Sequence, residues 1–442
     1  MGAKETAATF VEQVERERNP LQTKRVIASS LAGTTLEFYE FFVYGTVAAL
    51  AFNYVFFPEG NDFAATLSTF AIFAVGFVAR PIGSIVFGHL GDKLGRKKTL
   101  ILSLVLMGAS TVLIGCLPSF STVGIVAPIL LVVLRLVQGL ALGGEWGGAA
   151  LMLVENAAKG KKAAIGSVVM MGVPGGLVLA AVVAAASVAI SGDQFEVWGW
   201  RIPFVLSAAL LAVAFWIRLG VKESPEFAAA RERLEARPKA PFSEVFRNNW
   251  GDLVAALGVA APGNAIFFIV STYSLSYLTS NLGLPRETGL YAQIAAATIY
   301  FATIPFFGRL ADRVGEWKVV AGGAIGAALF GLAYFPLLQT GNVFVIFGAM
   351  TLALAGIHAA LQAPQASLFA SRFDVRVRYT GVALSQAIPT MVIGGTAPFV
   401  ATLLVGTTGN TLLVSAYVIV LAAWGFGAAL VFRKKDADRV EA

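Results

Sequence analysis

The sequence predicts an all-α membrane protein: twelve transmembrane helices in two six-helix bundles related by pseudo-symmetry. Three observations carry that expectation. The 442-residue chain is 57% hydrophobic and only 13% charged, with a mean hydropathy of +0.75, a balance that soluble globular domains do not reach. Its apolar residues fall into runs of roughly twenty or more, the length of helix that crosses a bilayer. A charged, glycine-rich stretch also occurs twice, as GHLGDKLGRKK at Gly88–Lys98 and GRLADRVGEWK at Gly308–Lys318, 220 residues apart. Each copy separates two apolar runs. Charge at that density does not sit in lipid, so each marks a short loop, and the repeat argues for two homologous halves.

Taken in order, the spans are expected at 25–56, 64–88, 98–117, 125–156, 163–190, 200–219, 251–280, 287–308, 318–338, 343–371, 379–404 and 410–432. Several exceed what a perpendicular crossing needs, which predicts tilt or helical extension past the lipid. The first bundle then covers 25–219 and the second 251–432, flanked by tails at 1–24 and 433–442. Between them, 220–250 carries Arg231, Arg233, Arg237 and Lys239 with Pro238 and Pro241. It reads as a surface linker, in part an amphipathic helix. The polar N-terminus holds no apolar signal core, so no cleaved leader is expected. Cys116 is the one cysteine, which excludes a disulfide within the chain.

The net charge of +7 is spread over short loops and tails. That distribution suits membrane orientation and excludes a nucleic-acid-binding face. One side holds Lys24, Arg25, Lys93–Lys98, Lys159, Lys161, Lys162, the linker, Arg309, Arg313, Arg372, Arg376, Arg378 and Arg433–Lys435; the other carries little beyond Arg286. The positive-inside rule then predicts a plasma (inner) membrane protein with both termini in the cytoplasm.

These motifs carry a family resemblance. GHLGDKLGRKK resembles the loop between the second and third spans of the major facilitator superfamily, and the weaker second copy, the twelve spans and the central linker fit that family along the whole chain. GTTLEFYEFFVYG (Gly33–Gly45), ARPIG (Ala79–Gly83), RLVQGLALGGEWGGA (Arg135–Ala149), WGWRIPF (Trp198–Phe204) and VKESPEF (Val221–Phe227) resemble the metabolite:proton symporters, most of all the shikimate transporters and their near relatives. Neighbouring branches of that group carry dicarboxylates or zwitterionic osmolytes. The resemblance implies the major facilitator fold and proton-coupled uptake of a small organic acid by alternating access: shikimate, a related aromatic or hydroxy acid, or a dicarboxylate. A betaine or proline carrier is the alternative. It also implies gating residues: Asp92 and Arg96 pairing with Glu155 when the protein faces outward, and Asp312 and Arg313 in the second copy. There Glu316 and Trp317 replace Arg96 and Lys97, which should weaken the latch. No phosphate loop, metal-ligand cluster or nucleophile–base set is present, so no enzyme, cofactor or metal role is expected. The expected partners are an organic anion, a proton and membrane lipid, met by a monomer. A sensor that binds without translocating is the rival from another class.

A charge at the centre of a span costs several kcal/mol, so each one asks for a reason. Glu37 and Glu40 lie three residues apart in the first span and share a face. Glu145 follows Arg135 by ten residues and falls near mid-membrane, among Gly143, Gly144, Gly147 and Gly148. A carboxylate in such a place is expensive when charged and cheap when protonated, so these three are the candidate proton sites. Bonding to neighbouring helices is their bland alternative. Arg80 lies about 12 Å from the loop at Gly88, by helix rise, inside a hydrocarbon core about 30 Å thick. Its planar guanidinium matches a carboxylate through two parallel hydrogen bonds, supplied by an organic anion or by those glutamates. Arg135 and Arg201 sit nearer the outer face on the same count and are further candidates for the anion. Arg201 reads equally as an interfacial anchor beside Trp198 and Trp200.

The second half offers neutral groups instead: Asn264, Tyr273, Tyr277, Gln293, Tyr300, His358, Gln362, Gln365 and Gln386. Of these, Asn264, Tyr273, Tyr277, Gln362 and Gln386 are the candidate contacts for hydroxyls and a ring, although any one alone serves as well as a helix–helix bond. His358 reads as structural, the alternative being a group that titrates near neutral pH and takes part in coupling. The first half is expected to handle charge and the second to recognise shape.

Overall fold

The computed structural model describes residues 20–94, 96–141, 160–220, 249–373 and 377–441, with a few single positions between them. Helix α1 opens at Pro20–Val47 and passes through a π-helical turn, Ala48–Phe52, into Asn53–Val55. α2 is Asp62–Leu94, α3 Arg96–Gly115, α4 Val126–Ala141, α5 Lys162–Met170 with Gly172–Ser191, and α6 Ile202–Gly220. In the second half, α7 runs from Trp250–Phe268 through π turns at Ile269–Tyr273 and Tyr277–Asn281. α8 is Arg286–Val314 and α9 Glu316–Gln339. α10 is Val343–Thr351, a π turn at Leu352–His358, Ala359–Gln362 and Gln365–Arg372. α11 is Arg378–Pro389, a π turn at Thr390–Gly394 and Ala397–Thr408, and α12 is Leu412–Glu441.

Among the described residues, eight helices are long and apolar enough to cross a membrane, and Ile101–Gly115, Val126–Ala141 and Gly199–Val213 are shorter apolar helices. With α1 these are the twelve expected spans. In lipid the backbone must satisfy its own polar groups, and helices do so. Side chains such as Leu329 (69% exposed) and Val420 (67% exposed) would be costly to leave in water but lie at no cost against acyl chains. Several limits differ from expectation. α1 opens at Pro20 and α12 runs to Glu441, into the expected tails at 1–24 and 433–442, and α2 and α8 continue to Leu94 and Val314, beyond the expected ends at 88 and 308. The charged stretch is therefore largely helical, because loss of lipid contact does not end a helix whose hydrogen bonds are internal. The second copy turns sharply at Gly315, whose φ of 104° is a left-handed conformation that favours glycine; Gly95 of the first copy lies outside the described residues. Most of the expected N-terminal tail and linker, and the expected α4 residues 142–153, lie outside the described residues.

The repeat is visible in the backbone. The ends of α2 and α8 are 220 residues apart, and the π turns Ala48–Phe52 and Ile269–Tyr273 are 221 apart. Within the first half, α2 and α4 meet at backbone contact: a Cβ at Gly139 would run into the Gly76 carbonyl, and one at Gly83 into that of Leu140. The halves meet along α1–α7, α2–α11 and α5–α8. α7 is the most enclosed of the eight long apolar spans found among the described residues.

One buried ion pair corrects the expectation of a second half without buried charge. Arg372, placed by sequence in a basic loop, donates from Nε to Asp252 Oδ1 at 2.6 Å and lies over the Phe432 ring at 4.7 Å. α10 extends one residue past its expected end, and that residue turns inward onto the start of α7.

Candidate functional site

The middle of the interface is an aromatic layer. Phe73 and Phe77, one turn apart on α2, meet Phe268 of α7 at 5.8 and 5.2 Å between ring centroids. Phe41 of α1 meets Phe268 at 6.3 Å, and Phe42 meets Phe267 at 5.4 Å. Most of these contacts are edge-to-face, the arrangement favoured by ring quadrupoles.

Two arginines lie against this layer. The Arg80 guanidinium carbon is 4.2 Å from the Phe41 centroid and 4.7 Å from that of Phe77. Arg135 is 3.9 Å from the Tyr44 ring and 5.5 Å from Phe41. Both cations thus share Phe41, and Arg135 lies against Phe73 and Gly76 of α2, on the side of Arg80 away from the charged loop. Arg135 donates from Nη1 to Gln138 Oε1 at 2.5 Å and from Nη2 to the Phe73 carbonyl at 3.0 Å. Among the described residues, Arg80 Nε and Nη2 and Arg135 Nε have no hydrogen-bond partner. Arg80 is repelled by Arg135 and attracted by Glu37.

Glu40 is only 4% exposed. Its carboxyl interacts with the hydroxyls of Thr111 on α3 and Ser207 on α6, while Oε2 has no hydrogen-bond partner among the described residues. Gln138 Nε2 donates to the Glu40 carbonyl at 3.0 Å and to Thr111 Oγ1 at 2.8 Å. A chain of polar contacts therefore runs from Arg135 through Gln138 and Thr111 to Glu40. Glu37 instead acts electrostatically on Arg80. A three-residue step leaves two side chains about 60° apart around a helix, enough to send these carboxyls to different neighbours.

Arg201 donates from Nη1 to the carbonyls of Gly115 at 3.1 Å and Leu117 at 2.7 Å, and stacks 4.4 Å from Trp200. It satisfies the end of α3 and has the geometry of an anchor, apart from the central pair. In the second half, Asn264 Nδ2 donates to the Ala260 carbonyl of its own helix at 3.0 Å. Tyr273 packs on Tyr277 at 5.9 Å, and Tyr277 Oη accepts from Gln339 Nε2 at 2.9 Å. Gln362 Nε2 reaches across the interface to Met170 Sδ at 3.2 Å. Gln386 is half-buried, and its Oε1 has no hydrogen-bond partner among the described residues.

The α5–α8 seam is tied at both ends. On the face of the charged loops, both Asp312 carboxylate oxygens accept backbone hydrogen bonds at 2.9 Å, from Ala163 N and Ala164 N. On the opposite face Arg286 pairs with Glu196. Arg313 is exposed. The side chains of Asp92 and Arg96, and all of Glu145 and Glu155, lie outside the described residues.

Residues 36–388 match the Major Facilitator Superfamily. The chain belongs to that superfamily. It is 39% identical to the shikimate transporter of Escherichia coli (strain K12), over 95% of this chain and 96% of that protein. It is 34% identical to the proline/betaine transporter of the same strain, over 91% of this chain and 81% of that protein. A solved D-xylose-proton symporter superposes with a TM-score of 0.69 over 92% of this chain and 96% of its own, at 19% identity, a likeness of fold alone. This Major Facilitator Superfamily member is a multi-pass membrane transporter and not an enzyme.

Three residues of the transporter's first-half network, Thr111, Gln138 and Ser207, were not among the expected site residues. Gln138 carried a signal, its three-residue spacing from Arg135 on one helix face. Thr111 carried none, since its role depends on where α3 passes α4.

Proposed function

We propose that this transporter imports a small organic acid together with protons, a hydroxy or aromatic acid resembling shikimate or a dicarboxylate, as a monomer working by alternating access. The reading puts it in the plasma (inner) membrane, with both termini and the 220–250 linker in the cytoplasm. One observation carries it: the buried Arg80 guanidinium has rings against it and unpaired N–H groups at Nε and Nη2. Rings on its flanks leave the N–H edge for a planar acceptor, and a carboxylate is the acceptor that fits two parallel donors.

Glu40 supplies a physical route to coupling. When protonated, it can donate its hydrogen to a neighbouring hydroxyl and adds no negative charge near the arginines. When ionised, it places a negative charge at the far end of the Thr111–Gln138–Arg135 chain, which opposes entry of a substrate carboxylate. Proton and anion therefore favour one another's binding, which is what a symporter requires. The zwitterionic alternative is less well supported. A quaternary ammonium seeks aromatic faces, and the rings of Phe41, Phe77 and Tyr44 are already taken by Arg80 and Arg135.

The test is uptake into proteoliposomes with an imposed pH gradient, using labelled shikimate, an aromatic acid, a dicarboxylate and glycine betaine. Accumulation of an acid that rises as the outside is acidified, and collapses with a protonophore, is expected. Accumulation of betaine alone, or of no solute, would overturn the reading.

A further inference from the structure

The second bundle holds polar groups that the function above leaves unused. Tyr300 of α8 and His358 at the end of the α10 π turn place their rings 5.1 Å apart. His358 also lies 5.0 Å from Phe267, a ring of the central layer. Gln365 opens the last segment of α10. Gly263 of α7 faces both: a Cβ there would stand 3.7 Å from His358 Cδ2 and 3.9 Å from Gln365 Nε2. Tyr300 and Gln365 are fully buried and His358 is 3% exposed. Yet among the described residues Tyr300 Oη, His358 Nδ1 and both amide atoms of Gln365 have no hydrogen-bond partner. Folded proteins leave few such atoms unmet unless a ligand or ordered water meets them.

The position of the cluster is given by the repeat. Tyr300 follows Arg80 by 220 residues and His358 follows Gln138 by 220, the offset between Gly88 and Gly308. The cluster is therefore the counterpart, in the second half, of the arginine site in the first, with neutral hydrogen-bonding groups in place of cations. The two are joined by a series of ring contacts, edge-to-face or tilted: Arg80 on Phe41, Phe41 on Phe42 at 5.4 Å, Phe42 on Phe267 and Phe267 on His358.

We infer that Tyr300, His358 and Gln365 form a neutral subsite that hydrogen-bonds the hydroxyl groups of the substrate whose carboxylate meets Arg80. The substrate is then a hydroxylated ring acid. The inference rests on the organic-acid reading and narrows it. A hydroxyl donates and accepts at once, which matches a mixed set of phenol, imidazole and amide atoms. A second carboxylate or a quaternary ammonium finds no opposite charge among these three side chains.

Isothermal titration calorimetry on the purified transporter compares two probes, shikimate and its deoxy counterpart cyclohex-1-ene-1-carboxylate. The wild type is expected to prefer shikimate by at least about tenfold, because unmet buried groups penalise an analogue that lacks the hydroxyls. Tyr300→Phe and Gly263→Ala should each cut that preference several-fold. The Gly263→Ala methyl fits at ordinary contact distance, so the fold tolerates it while the space beside His358 is filled. Arg80→Lys should weaken both probes alike. Equal binding of the two probes by the wild type overturns the subsite and leaves the organic-acid reading standing, with water as the cluster's partner. An undiminished preference in folded Tyr300→Phe and Gly263→Ala also overturns it. If neither acid binds, the organic-acid reading fails and the subsite falls with it.

Discussion

Replacing Asp312 by asparagine tests the tie between the two bundles. Ala163 and Ala164 lie in the first turn of α5, where amide N–H groups have no partner within the helix and the helix dipole favours a negative charge. Asp312 meets two of them at 2.9 Å from the other half of the molecule. Asparagine has the same shape, keeps one acceptor and loses the charge. The loss is about 1–2 kcal/mol, from the typical value of an anion at a helix N-terminus and the extra strength of charged hydrogen bonds. If the contact exists only in the state closed on that face, the closed-to-open ratio falls by a factor of roughly 5–30. Spin labels at Val86→Cys and Val431→Cys, exposed positions in opposite halves, report the change as a longer distance in pulsed electron resonance; Cys116→Ser removes the native thiol. A distance distribution identical to that of the parent, in an Asp312→Asn protein that folds, would refute the reasoning.

Three further outcomes follow from the site and the fold. Arg80→Lys keeps the charge and loses the planar fork, so affinity for the transported acid should fall at least tenfold, about 1.4 kcal/mol. Unchanged calorimetric affinity in both Arg80→Lys and Arg80→Ala assigns that residue to structure alone. Glu40→Gln mimics permanent protonation: proton-driven accumulation should fail while exchange of internal for external substrate survives, and normal pH-dependent accumulation in the variant removes Glu40 from the coupling step. Arg372→Ala takes away the partner of a buried carboxylate and should cost up to about 3–5 kcal/mol, seen as a lowered Tm, whereas the double change Arg372→Met, Asp252→Leu should recover most of it. A single variant as stable as the parent shows that the pair contributes little.

Much of the architecture was legible because membrane helices are written in one dimension. Hydrophobic length, charge-dense breaks and the 220-residue repeat depend on residue order and not on which helix packs beside which, so span limits were found to within a few residues except where charged helices outrun the lipid. The arginines of the site were legible for the same reason, since a cation within an apolar run is conspicuous. Its partners were not. Thr111 and Ser207 are ordinary hydroxyl residues until α3 and α6 bring them to Glu40, and Arg201 differs from Arg80 only in what lies within reach.

Composition and periodicity are thus enough for the class of protein, its two-fold internal plan and a short list of intramembrane charges, because the cost of burying charge in hydrocarbon is paid residue by residue. Which of those charges share a ring, and which orphaned atoms of Tyr300, His358 and Gln365 come together, follows from packing alone. Helix tilt, crossing angle and side-chain reach move a charged or polar end by several ångströms, and hydrogen bonds are lost within a fraction of that distance.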